Sequence, residues 1–348
     1  MNPNIVFHGS AAALRRVRGF TLIELMIAML LGLIVVGGVS SIFLANQQTY
    51  RSNEALSEVQ EGARVSFEML ARDIRVAGLA GCNTSSGRVG NTVNNSSTNW
   101  FADWNDALKG YDDATTDPAL SGLTGAGAPV KNTSSLHILS SGNIDATVVS
   151  NPGNDPAEIH ISQPSSDLAT GDIIVVCDYD HSTIVQITNF NGVLTVVHNT
   201  GTGSPGNCTK GMGYPTIPAN CTGNDANGNA YTFPPNSQIA KLSARVWYIG
   251  TNPVGGKSLY RLVAVNNAGT ITSTPQEMVR NVTEMKILYL QPPSGTKFDS
   301  AANMTNWATV DSAQVTLTVQ STFQRAGTDS KPLSRTFTTT ATVRNRVL

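Results

Sequence analysis

The sequence predicts an α+β fold: a long N-terminal α-helix, membrane-spanning in its first half, packed on a C-terminal antiparallel β-sheet head with long loops. Three observations carry that expectation. From Phe20 to Ala45 the chain is apolar apart from Glu24 and a few small hydroxyls. Apolar and small residues then recur at spacings of three and four as far as Ala77, the signature of one stripe on a helix. Beyond residue 135 short β-branched runs follow one another, separated by Gly, Asn and Pro.

The Phe20–Ala45 run is about 26 residues, above the ~20 that span a bilayer as a helix. Arg15, Arg16 and Arg18 precede it and Arg51 follows, so the positive-inside rule orients the N-terminus to the cytoplasm and the rest of the chain to the far side. An ordinary secretory signal has a shorter apolar core, roughly 7–15 residues, with a small-residue cleavage site after it. A plain anchor would insert without Glu24, and ionisable groups inside a membrane usually have a partner. The carboxylate therefore needs a reason.

The stretch RGFTLIELMIAMLLGLIVVG, from Arg18, resembles the class III signal of type IV pilins and pseudopilins. That resemblance implies a cut by a prepilin peptidase after Gly19, on the cytoplasmic side, and methylation of the new N-terminal Phe20. It makes Glu24 the fifth mature residue. The cut leaves an ammonium on Phe20 at the edge of an apolar helix, and Glu24 of the same or a neighbouring subunit is its expected counter-charge. Breaking such a buried pair costs about 3–5 kcal/mol. The expected organisation is a leader over 1–19, a membrane and assembly half-helix over 20–45, an amphipathic half-helix over 46–81, and a periplasmic head over 82–348. The leader is longer than those common in that family, and its first part, MNPNIVFHGSAAAL, has no evident purpose.

Past the membrane segment, Leu56, Val59, Ala63, Phe67, Leu70, Ile74 and Ala77 draw the buried stripe. Glu54, Glu58, Glu61, Arg64, Glu68, Arg72 and Arg75 occupy the other faces, with Glu68 and Arg72 at the favourable i,i+4 spacing. Gly78 and Gly81 end the helix. Residues 82–135, rich in Asn, Ser, Thr and Gly, read as a long exposed loop region anchored by Trp100 and Trp104. Strands are expected at SSLHILS, AEIHIS, GDIIVVCD, STIVQIT, GVLTVVHN, MKILYL, SAQVTLTVQST and RTFTTTATVRNRVL. QIAKLSARVWYIG and SLYRLVAV read as a hairpin.

Three further segments, LARDIRVAGLAGC, ARVWYIG and TTTATVRNRVL, are similar to segments of the PilW group of minor pilins. The resemblance implies a minor pilin of the inner membrane and pilus fibre that primes or caps assembly. Its partners would be other minor pilins and the major pilin, the prepilin peptidase, the inner-membrane assembly platform and membrane lipid. Twitching motility and cell adhesion are the associated processes. A minor pseudopilin of type II secretion is the alternative within the class. A tip adhesin acting through the 82–135 and 199–237 loops is the alternative outside it.

Only 14% of residues are charged and the net charge is −1, against a usual charged share of roughly 25%. With no basic block after the N-terminus, nucleic acid is not an expected partner. The cysteines, Cys82, Cys177, Cys208 and Cys221, form no zinc-like spacing. Four cysteines allow three connectivities. Cys208–Cys221 closing a short loop and Cys82–Cys177 tying the first helix to the sheet are the expected pairs, and free buried thiols are the alternative. His8, His137, His160, His181 and His198 are scattered, and no catalytic constellation or cofactor site can be assembled. CDYDH at 177–181 reads as a strand-end turn. DANGNAY opens like a calcium loop at Asp225, Asn227 and Asn229. It has Ala230 where the loop needs Gly and Asn236 where it needs a bidentate Glu.

Overall fold

The computed structural model describes residues 19–82, 87–293, 295–324 and 331–346. Helix α1 is Leu22–Arg75. Among the described residues fourteen strands follow: β1 Val89–Asn91, β2 Leu108–Tyr111, β3 Ser135–Ser150, β4 Glu158–Ile161, β5 Ile173–Cys177, β6 Ser182–Gln186 and β7 Asn189–Phe190. Next come β8 Thr195–Val197, β9 Gln238–Thr251, β10 Lys257–Asn267, β11 Thr270–Arg280, β12 Val282–Leu290, β13 Ser312–Gln320 and β14 Ser334–Thr342. The α+β expectation holds: a long apolar N-terminal helix precedes a β-sheet domain. The chain divides into two compact units, residues 1–54 and 55–348.

In the second unit β9 is the hub of an eleven-stranded sheet. One of its edges pairs with β3, from Gln238–Thr147 to Trp247–Leu136. The other edge is shared: Gln238–Lys241 pair with β5, and Arg245–Thr251 with β10. The β9–β10 pairing is the expected hairpin. Strands β12, β13 and β14 form a separate antiparallel sheet. Strand β1 lies parallel to β6, so the larger sheet is mixed and not wholly antiparallel.

The main core packs Val59, Ala63, Leu70 and Ile74 of α1 against Trp247 and Ile249 of β9, Met285 and Ile287 of β12, and Val315 and Leu317 of β13. Strands β12 and β13 show the period-2 alternation that puts one face on this core and the other in solvent. A second core lies under Ile159, Ile174, Val176, Val185, Val196 and Phe233.

Four expectations are corrected. Leu56 is 37% exposed, and Ala55 takes its place in the stripe, because burial steps through 55, 59, 63, 66 and 70 as the helix turns. Glu68 pairs with Arg64 (3.0 Å), not Arg72, and Arg64 also holds Glu61 at 2.7 Å. These side chains are mostly exposed, so solvent and salt screen the pairs and they add little to stability.

Over its described residues, 82 and 87–135, the expected 82–135 loop is not exposed. Within them β2 pairs with β3, and Val93, Ala102, Ala107, Leu108, Ala114 and Leu120 are buried. Short polar side chains make this burial feasible by satisfying backbone groups locally. Asp113 accepts from Thr115 N and Asp117 from Ala119 N, each at 2.9 Å. Buried Asp117 also accepts from Ser135 Oγ at 2.6 Å, and both of its oxygens lie 2.8 Å from His137 Nε2. Strand β11 was not anticipated, because Pro275 argues against a strand. Among the described residues its one ladder is with β10, beside a single bridge from Thr270 to Ser204, so it is an edge strand, where a missing N–H is tolerated.

Candidate functional site

Gly19 and Phe20 precede α1 outside regular secondary structure, and Phe20 is 85% exposed. Thr21 is the residue that starts the helix. Its carbonyl accepts from Leu25 N at 3.2 Å. Its N–H and hydroxyl both donate to Glu24 Oε2 at 2.9 Å, and Glu24 N donates back to Thr21 Oγ1 at 3.3 Å. This is a capping box, Thr-x-x-Glu, which satisfies otherwise orphaned donors of the first turn. The signal stands in the sequence as Thr21-Leu-Ile-Glu24, but the reading of Glu24 as a counter-charge left it unused. Arg15, Arg16 and Arg18 lie outside the described residues.

Every residue from Gly19 to Arg51 is exposed, including Leu22, Ile23, Met26, Leu33 and Phe43. An uncovered apolar surface of this extent marks an interface with lipid or protein. Among the described residues α1 is the one helix long and apolar enough to cross a membrane. An added Cβ at Gly32, Gly37 or Gly38 would meet nothing, so these glycines leave gaps on an open surface and fill no internal contact.

At its other end α1 is locked to the head. Asp73 is 5% exposed on the helix face that meets β9. Its Oδ1 accepts from Arg245 Nη1 at 2.7 Å, and its Oδ2 from the Trp247 indole Nε1 at 2.9 Å. Gly78 has φ +71°, a left-handed conformation that suits glycine and turns the chain out of the helix. Its N–H donates to Leu139 O at 2.8 Å, and Ser141 N donates to Leu79 O at 2.7 Å. The C-terminal segment closes the end: Arg344 N donates to Arg75 O at 3.0 Å and Asn345 Nδ2 to Gly78 O at 2.9 Å. Asp73, Arg245 and Trp247, and Arg344 with Asn345, come from the three segments on which the PilW resemblance was read. The fold brings all three together around the last turn of α1.

Cys82 is disulfide-bonded to Cys177, with Cα atoms 5.8 Å apart, just beyond this lock. Cys208 is bonded to Cys221, with Cα atoms 5.4 Å apart. The first link spans 95 residues of sequence. A loop of that size constrains the unfolded chain by about 4–5 kcal/mol, and the shorter one by about 3 kcal/mol, in the chain-entropy account. The 82–135 and 199–237 segments pack on one another: Thr92 Oγ1 donates to Asn207 Oδ1, Asn94 Nδ2 to Pro205 O, and Asn95 N to Cys221 O. Trimming either segment would therefore expose the other.

The polar clusters noted in the sequence are occupied by internal hydrogen bonds. Asp178 Oδ1 accepts from the N–H groups of Asp180 and His181, and Oδ2 from Tyr231 Oη. Asp225 Oδ1 accepts from Asn227 N and Gly228 N. Among the described residues no group of three or more His, Cys, Asp or Glu is disposed to hold a metal.

His198 is fully buried, and burial pushes its pKa down to about 4. The unfolded chain takes up that proton near pH 6.5 and the native protein does not, so the stabilising difference is complete above pH 6.5. It is lost as the pH falls from there toward 4, and amounts to about 3 kcal/mol. Urea denaturation of the full chain should show a midpoint that drops between about pH 7 and about pH 4.5. His198→Phe should flatten that drop.

A family model described as the prokaryotic N-terminal methylation motif matches residues 14–40. No match was found among curated proteins or among solved structures. The match covers Gly19, Phe20, the capping box and the first half of the exposed helix. That motif is the prepilin motif, and it implies processing by a prepilin peptidase and pilus or pseudopilus assembly. It supports a type IV pilin-like or pseudopilin-like protein.

Proposed function

We propose that the chain is a minor type IV pilin of the PilW kind, a structural subunit that primes or caps a pilus. The observation that carries this reading is the match at 14–40 on a helix whose apolar surface is left uncovered from its first residue. The precursor inserts once, with Arg15, Arg16 and Arg18 holding its N-terminus in the cytoplasm and the head in the periplasm. Cleavage between Gly19 and Phe20 frees the Phe20 amine, which is then methylated. Glu24 neutralises that amine as the helix leaves lipid for the fibre. Residues 20–45 supply burial against neighbouring helices. Residues 46–81 join that spine to the head, and the head over 82–348 selects neighbours among the other minor pilins and the major pilin.

The role is structural and needs no chemistry from the head. Cleavage fixes where the mature helix starts: Thr21, the second residue of the mature chain, already caps it. The exposed site residue Gly19 tests the reading. With no Cβ, glycine lets a peptidase approach the backbone closely, and nothing lies within 4 Å of where a Cβ would stand. Gly19→Ser is therefore expected to leave the fold intact and to block or strongly slow processing. Immunoblots of membranes would show the protein at precursor mass. A mature band of unchanged size and amount would argue against this cleavage position.

A further inference from the structure

Beside the Asp73 lock lies an open cleft of about 650 Å³ between the last turns of α1, strand β3 and the β9–β10 hairpin. Three guanidiniums line it, from Arg72, Arg245 and Arg261, with Asp73 as the one carboxylate among its lining residues. Asp73 is fully engaged, because its two oxygens are taken by Arg245 and by the Trp247 indole. Arg72 is exposed and has no ion-pair or hydrogen-bond partner among the described residues. Arg261 lies 5.7 Å from the centroid of the Trp247 ring and donates through Nη2 to Gln276, while its Nε is buried with no acceptor. Burial and the nearby Arg245 push the Arg261 pKa down, as expected for like charges crowded around a neutralised acid. The remaining walls are mixed. Met69, Val76, Leu79 and Ile144 are apolar, and Ser140 and Asn143 supply small polar groups.

Excess positive charge beside the apolar side chains of Met69, Leu79 and Ile144 selects a ligand that is anionic at one point and apolar next to it. We propose that this cleft binds an acidic peptide segment, with a Glu or Asp carboxylate held by Arg72 and Arg261 and its apolar neighbours on Met69, Leu79 and Ile144. The fork of an arginine matches a carboxylate bidentately, and a volume of this order holds a few side chains rather than a lone ion. Nucleic acid fits less well. It needs a row of cations along a surface, and lysines and arginines total 23 against 24 acids in this chain. That a neighbouring subunit supplies the peptide rests on the assembly reading, whereas the site itself does not.

The test uses the full chain in detergent micelles and a fluorescent synthetic peptide of alternating leucine and glutamate, read by anisotropy. Saturable binding is expected, with no binding of the matching leucine–lysine peptide. Arg72→Gln and Arg261→Gln should each weaken it about tenfold or more, and added salt should weaken it further. Arg261 packs against Trp247 and its loss could disturb the fold. Arg72 is exposed, so Arg72→Gln decides the matter with the thermal melt as control. Absence of saturable binding, unchanged affinity in a folded Arg72→Gln protein, or tighter binding of duplex DNA than of the peptide would overturn the proposal. Because the readout is binding to isolated protein, its failure leaves the cleavage reading untouched, and the N-terminal mass tests that reading separately.

Discussion

Asp73→Ala is expected to destabilise the head by about 3 kcal/mol, the largest single loss available on α1 without emptying the core. The substitution removes an acceptor that serves two donors at once. Arg245 is left as a charge whose side chain is 28% exposed, and the indole N–H of fully buried Trp247 is left with no acceptor. Removing one member of a buried pair costs about 3–5 kcal/mol, and the partial exposure of Arg245 sets the lower end. Asp73→Asn keeps an oxygen for Trp247 but loses the charge and turns an NH2 donor toward Arg245, so it should cost less than the alanine variant, about 1–2 kcal/mol. Denaturant midpoints of the two variants and the parent measure the difference. Equal midpoints for Asp73→Ala and the parent would mean that the helix end is held by the backbone contacts of Gly78 and Arg344 alone.

Glu24 carries the second large effect. Within one chain its carboxylate serves Thr21 and caps the helix. Within a fibre, on the proposed reading, it neutralises the Phe20 amine. The two roles separate by substitution. Glutamine at N3 can also reach back to the cap, so Glu24→Gln retains the capping box and removes only the charge. Loss of a cap costs about 1 kcal/mol, whereas an unpartnered buried ammonium costs about 3–5 kcal/mol. Glu24→Gln is therefore expected to be processed normally and to be nearly absent from sheared fibres. Normal incorporation of Glu24→Gln together with failure of Glu24→Ala would assign Glu24 to capping alone.

The parts of this fold that were legible in the sequence are those set by neighbours in the chain. The α1 stripe, the β9–β10 hairpin and the alternation in β12 and β13 follow from spacing within a few residues. The Thr21–Glu24 box is equally local, since its two residues are three apart and meet across the first turn. The helix lock was not legible. Asp73 meets Arg245 and Trp247 across 172 and 174 residues, and an acid in an Arg-rich helix end reads as a solvated face. Residues 82–135 misled for a different reason. Their Asn, Ser, Thr and Asp side chains bond back to the backbone, so a polar composition coexists with burial of Thr92, Asp117 and Ser134. Strand β11 was hidden by Pro275, whose cost vanishes on an edge.

The central claim is that the working protein begins at Phe20. Mass spectrometry of the protein isolated from fibres or membranes of the native cell tests it most directly. The account predicts an N-terminal peptide starting at Phe20 and carrying one methyl group on its amine. An N-terminal peptide that still contains Arg18 and Gly19 ahead of Phe20 would contradict it.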